Sequence, residues 1–128
     1  MVLVDIGNTT LHFGIEKYGS IVKDFRVYKN NFSYARLKNI LGRYPNQDIV
    51  VCSVAPSVLK YFRKIKRRIY IIGKDIKVPI KSSYNKEDIG QDRLVNAFAA
   101  KNIYPDAKII IDFGTAITID ILSKKRNY

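Results

Sequence analysis

Apolar and polar positions along the chain sort into short runs of period two and longer runs of helical period. Val2 to Ile6 is an apolar run ended by the turn pair Gly7-Asn8, a strand and its turn. Leu11, Phe13 and Ile15 alternate with His12, Gly14 and Glu16, the signature of a half-buried strand. After a turn at Tyr18-Gly19-Ser20, the stretch Ile21 to Tyr28 supplies a third strand. Phe32 to Tyr44 carries Phe32, Ala35, Leu37, Ile40 and Leu41 at helical spacing, with Ser33 as N-cap and Pro45 past the end. Asp48 to Val54 is continuously apolar at its centre and predicts a strand buried on both faces. Pro56 is suited to the first position of a helix running to about Arg67, and Ile69 to Ile72 reads as a buried strand. Asp75 to Lys86 lacks a clear period, contains Pro79 and reads as a loop with room for a short strand. Asp92 to Tyr104 predicts a helix with Leu94, Val95, Phe98, Ala99 and Ile103 on one face, closed by Pro105. Lys108 to Asp112 and Ala116 to Leu122 are strands about a Gly114-Thr115 turn. The order βββ, α, β, α, β, α, ββ predicts an α/β fold with a mixed central sheet.

Length and composition narrow the class. With 128 residues, a single domain over 1–128 is the expectation. At 47% hydrophobic and 27% charged, the chain is not of a disordered or low-complexity type. One cysteine, Cys52, excludes an internal disulfide, and no Cys/His cluster suits zinc. A carboxylate at Asp5 comes too early for a signal peptide, and no apolar run approaches the roughly 20 residues of a membrane span. A cytoplasmic location without membrane contact is therefore expected. The formal net charge of +12 favours anionic partners. Its densest stretch, Lys60 to Arg68, reads as the solvated face of a helix, with a nucleic-acid or lipid patch as the lesser alternative.

Three short constellations carry candidate chemistry. In Asp5-Ile6-Gly7-Asn8-Thr9-Thr10, a strand delivers a carboxylate to a turn whose amides and hydroxyls can meet phosphate oxygens. Such a carboxylate is placed to hold Mg²⁺, directly or through water. Ile111-Asp112-Phe113-Gly114-Thr115-Ala116 repeats the design. A plain hairpin explains either one alone, but two in a small chain are harder to ascribe to turns. Gly90-Gln91-Asp92-Arg93 opens a helix whose N-terminus favours anions. There Arg93 could fork onto a substrate carboxylate, and Asp92 could take a proton from a hydroxyl. An N-terminal helix charge beside a surface arginine is the plainer alternative.

These motifs, in this order, resemble the type III pantothenate kinases of the actin/hexokinase/Hsp70 phosphotransferase superfamily. Asp5-Ile6-Gly7-Asn8-Thr9 looks like the family's first phosphate loop, and Val51-Cys52-Ser53-Val54-Ala55-Pro56 like the segment that follows. Tyr84-Asn85 through Ile89-Gly90-Gln91-Asp92-Arg93 resembles its substrate motif, and Asp112-Phe113-Gly114-Thr115-Ala116 its second loop. His12 stands where the family commonly has Lys, Lys86 where it has Pro, and Ile117 where it has Thr.

The resemblance implies a ribonuclease H-like mixed sheet flanked by helices, one half of an actin-like ATPase fold. It also implies transfer of the ATP γ-phosphate to the hydroxyl of pantothenate, the first step of coenzyme A synthesis. By the same resemblance Asp92 is the general base. Tyr84, Gly90, Gln91, Asp92 and Arg93 bind pantothenate; Asp5, Gly7, Asn8, Thr9, Thr10, His12 and Thr115 bind ATP. Asp5 would hold Mg²⁺ through water, and Asp112 a potassium or ammonium ion. A homodimer is implied, and nucleic acid is not. The family has a second domain bearing further ATP and substrate contacts, and the ending Lys124-Lys125-Arg126-Asn127-Tyr128 falls where its chain continues. Weak affinity and poor turnover are therefore expected of these residues alone. If Ile121-Leu122 pack on that domain, they leave an apolar patch that invites self-association. A ribonuclease H-type nuclease, with Asp5 and Asp112 as metal carboxylates, and a non-catalytic regulatory homologue are the alternatives.

Overall fold

Five strands meet in one mixed sheet: β1 (Val2–Ile6), β2 (Thr10–Lys17), β3 (Ser20–Tyr28), β4 (Ile49–Ser53) and β5 (Ile69–Ile71). In the computed structural model they lie in the order β3-β2-β1-β4-β5. β1, β2 and β3 form an antiparallel meander, while β4 and β5 run parallel to β1. This is the mixed α/β sheet that the element order predicts, consistent with the actin-like ATPase half that the resemblance implies. The structure describes residues 1–123 and 127–128, in two compact units, Met1–Ile76 and Lys77–Tyr128. Lys124, Lys125 and Arg126 of the basic ending lie outside the described residues.

In the first unit the period-two pattern fixes the register. Val2, Val4 and Ile6 on β1 and Leu11, Phe13 and Ile15 on β2 all face the core, and a one-residue slip would turn them outward. Helices α1 (Tyr34–Gly42) and α2 (Pro56–Phe62) bury Leu37, Leu41, Val58, Leu59 and Phe62 in the same cluster. Ser33 caps α1, its hydroxyl accepting from Arg36 N–H at 3.2 Å. Phe32 precedes the helix rather than opening it, and its ring packs about 6 Å from those of Phe13, Tyr61 and Phe62.

Three expectations need correction here. α1 stops at Gly42 instead of Tyr44, its last carbonyls taken by tightened turn bonds from Arg43 and Tyr44 N–H. α2 ends at Phe62, not near Arg67. From Lys64 to Arg67 the chain turns on short-range bonds, and Arg67 folds back onto the carbonyls of Leu41, Tyr44 and Gln47 at 3.0, 2.6 and 2.5 Å. One member of the basic run thus ties down the end of α1 instead of facing solvent. β5 is a half-buried edge strand, since nothing pairs beyond it.

The second unit holds α3 (Gln91–Ile103) and a hairpin of β6 (Ile109–Phe113) and β7 (Ile117–Ile121), which form a sheet of their own. Val78, Ile80 and Ile89 from the irregular segment before α3 are buried, as are Leu94, Ala97, Ala100 and Leu122. The helix therefore buries a Leu94-Ala97-Ala100 stripe, and Ile103 and much of Phe98 stay exposed, contrary to the predicted face. Small side chains sit where the helix meets its neighbours. The hairpin leaves its apolar face open. Ile109, Ile111, Phe113, Ile117, Ile119 and Ile121 are 50–77% exposed, whereas Asp120 is buried. Ile121 is thus open while the adjacent Leu122 is buried.

Candidate functional site

The first turn is built by β1 and β2. Ile6 pairs with Leu11, leaving Gly7 to Thr10 as the connection, and Gly7 N–H donates to the Thr10 carbonyl at 3.0 Å. A Cβ on Gly7 would stand 3.3 Å from that oxygen, a tight contact that a larger residue would meet only with a shift of a few tenths of an ångström. Asp5 is exposed at the end of β1, opposite His12 in register. The His12 ring meets the Asp24 carboxylate through Nε2 at 3.1 Å. Asn8 and Thr9 line an open cavity of about 490 Å³ with Tyr28, Lys29 and Asn30. Lys29 brings a cation to this turn, and its N–H donates to the Thr9 carbonyl at 2.8 Å. The signal for it lies in the strand register: Thr10 faces Tyr28, so the next residue arrives beside the turn.

The second turn is one residue shorter. Phe113 pairs with Ile117, and Gly114 N–H donates to the Ala116 carbonyl at 3.2 Å. The two acid-tipped hairpins are alike in placing Asp two residues before Gly, yet their hydrogen-bonded rings differ in size. Asp112 is exposed and faces Thr118, whose buried hydroxyl oxygen has no hydrogen-bond partner among the described residues. Thr115 is exposed in the turn.

The helix-opening motif lies wholly in the second unit. Gly90 caps α3, its carbonyl accepting from Arg93 and Leu94 N–H at 3.1 and 3.3 Å. Gln91 is the first helical residue, and Asp92 in the first turn accepts from Arg93 N–H through Oδ1 at 2.8 Å. The Arg93 guanidinium grips Asp120: Nε reaches Oδ1 and Oδ2 at 3.0 and 3.2 Å, and Nη2 also donates to Oδ1. Tyr128 donates its hydroxyl to the same Oδ1 at 2.6 Å, with its ring centroid 5.9 Å from the guanidinium carbon. Burial raises the Asp120 carboxyl, but the bonds from Arg93 and Tyr128 and the guanidinium charge outweigh it, leaving a pKa below the ordinary value. The Tyr128 phenol is pushed up to about 12 by burial and by its bond to that carboxylate.

Around this cluster lies a cavity of about 420 Å³ lined by Tyr84, Asp88, Ile89, Arg93, Asp120 and Tyr128, among others. Two predicted substrate residues, Tyr84 and Arg93, thus share one hollow. Asp120 and Tyr128 were not singled out by sequence reasoning. The signal available was the break of an isoleucine run by a lone acid in Ile117-Thr118-Ile119-Asp120-Ile121. Among the described residues, no group of three His, Cys, Asp or Glu side chains gathers as a metal cluster, and no helix is long and apolar enough to cross a membrane.

Comparison with known proteins agrees with the motifs. The family model described as type III pantothenate kinase matches residues 1–128. A type III pantothenate kinase of Methylacidiphilum infernorum is 35% identical over 127 residues, covering 98% of this chain and 47% of that protein. Proteins of the same name from Sulfurihydrogenibium sp. and Citrifermentans bemidjiense are 34% and 33% identical over all of this chain, each covered to 57%. The chain spans about half the length of the curated relatives it matches. With its motifs in order and the family model matching residues 1–128, the chain belongs to the type III pantothenate kinase family.

Proposed function

We propose that these residues form the N-terminal part of a cytoplasmic, homodimeric kinase that transfers the γ-phosphoryl group of ATP to the hydroxyl of pantothenate. The observation that carries this reading is the hollow in the second unit, where Tyr84 and the held guanidinium of Arg93 meet in a chain of this family.

In the proposed step Asp92 accepts the proton of the pantothenate hydroxyl, whose oxygen bonds to the γ-phosphorus as the bond to the β-phosphate oxygen breaks and ADP leaves. One Asp92 oxygen is engaged by Arg93 N–H, which fixes the carboxylate's direction. Gly90 and Gln91 shape the substrate end of the same helix. Asp5, Gly7, Asn8, Thr9, Thr10 and His12 receive phosphates at the first turn, with Lys29 adding charge, and Thr115 meets ATP at the second. Mg²⁺ bound with ATP would neutralise charge on the phosphates, with Asp5 holding it through water. A single exposed carboxylate such as Asp5 suits an ion that keeps most of its waters and is held mainly by the substrate's phosphates. The unpartnered Thr118 oxygen opposite Asp112 fits a pair of hard oxygen donors for a monovalent cation. The nuclease alternative is not supported, because the family match is to a kinase.

The test is ³¹P NMR, with ATP and pantothenate, of the chain joined to the second domain that its family resemblance implies. Phosphopantothenate is expected, with Asp92→Asn reducing its formation by about 100-fold or more. Neither turnover nor pantothenate binding would refute the reading.

A further inference from the structure

We propose that Asp120, seconded by Tyr128, is a positioning residue that aims Arg93 at a carboxylate of the substrate. This rests on the pantothenate reading, since pantothenate carries a carboxylate at the end remote from its reacting hydroxyl.

A guanidinium has five N–H donors in a planar fork. Asp120 takes the Nε side, through Nε and Nη2. Among the described residues the opposite edge, Nη1 with the remaining Nη2 hydrogen, meets no acceptor, and it suits a second planar one. Arg93 lines the cavity with 39% of its side chain exposed, while the Asp120 side chain is 4% exposed. Asp120 is therefore turned to the arginine, with little of its side chain open to the cavity. A buried ion pair is a poor stabilising device, often matched by apolar residues of similar volume. Here it stands on the inward face of a hairpin whose other positions are mostly isoleucine. What the pair does supply is direction: a long side chain loses its rotamer freedom before substrate arrives.

Tyr128 closes the arrangement. Its N–H donates to the Lys81 carbonyl and its own carbonyl accepts from Ser83 N–H, both at 2.9 Å, so the phenol is anchored from its backbone. The Arg93 N–H that holds Asp92 Oδ1 belongs to the same residue, so proton acceptor and carboxylate receptor are set against each other within one helical turn. Because Asp120 offsets the guanidinium charge, recognition relies on the geometry of the free edge more than on net attraction. Removing Asp120 therefore leaves a more positive but unaimed arginine.

The experiment compares pantothenate with panthenol, its alcohol analogue lacking the carboxylate. Calorimetry is run on the full chain, wild type and Asp120→Asn, alongside ¹⁵N NMR of the Arg93 Nε–H. Asp120→Asn is expected to weaken pantothenate about tenfold and panthenol less than about twofold, and to broaden the Nε–H resonance by exchange. Tyr128→Phe should give the same pattern, smaller. Combining Asp120→Asn with Arg93→Ala should be no worse than Arg93→Ala alone. Equal losses for both ligands, or tighter pantothenate binding in Asp120→Asn, overturn the proposal. If the wild-type chain binds neither ligand, the substrate reading fails on its own account. The hold of Asp120 on Arg93 is then judged by the resonance, and its persistence in Asp120→Asn refutes that hold.

Discussion

Three donors converge on one oxygen of Asp120, and that convergence sets how the second unit answers to pH. The Asp120 carboxyl is lowered in the fold, so its contribution is present above its ordinary 3.8 and is lost as pH falls through the depressed value. The Tyr128 phenol is raised from 10.0 to about 12. Its contribution is whole below pH 10 and is lost as pH climbs through about 12. In a phenolate absorbance titration, the wild type minus Tyr128→Phe difference should centre near 12, above an ordinary tyrosine's 10. A difference centred near 10 would mean that the phenol does not reach the carboxylate. Of this cluster only Arg93 was legible in the sequence, because it follows Gly90 and Asp92 at a helix start. Alternation tells which of Ile117 to Ile121 share a face but not which face is covered. The isoleucines stand on the open side, and the buried side is the one that holds Asp120.

Elements were more legible than side-chain partners, since each strand and helix is specified by its own local pattern. β1 to β4 appear close to their predicted bounds, Ser33 caps α1 as expected, and the turn residues stand between strands as read. The failures share one cause, a long-range contact overriding local periodicity. The stripe Val58, Leu59, Phe62 and Ile65 supports a longer α2, but the segment beyond Phe62 is drawn toward the end of α1 by Arg67. A basic run read by composition alone conceals that one of its cations satisfies three carbonyls. Arg67→Ala should therefore cost about 2–3 kcal/mol of stability in urea, because part-buried carbonyls lose a charged donor. Lys66→Ala, an exposed neighbour in the same run, should stay within about 0.5 kcal/mol. Similar losses in both would return the run to a merely solvated role.

For the whole molecule, the order of elements was enough to predict the mixed sheet, because a meander followed by alternating helices and strands leaves few ways to pair. It could not show that β6 and β7 stand in a sheet of their own, since pairing partners are not written in either strand. The consequence is a hairpin with a continuous apolar face: Ile109 lies opposite Ile121, Ile111 opposite Ile119, and Phe113 opposite Ile117. Six large side chains half or more exposed on one face form a contiguous patch of the kind soluble monomers avoid. The chain should accordingly self-associate with rising concentration in sedimentation velocity, despite a net charge of +12 that opposes it. Ile111→Lys places one more charge at the centre of the patch, at a position exposed enough to accept it without disturbing the fold. The variant should shift the distribution toward monomer with an unchanged far-ultraviolet circular dichroism spectrum. Unchanged association in Ile111→Lys would move the contact to another surface. Loss of the folded spectrum would mean that the isoleucine is buried and the hairpin is turned the other way.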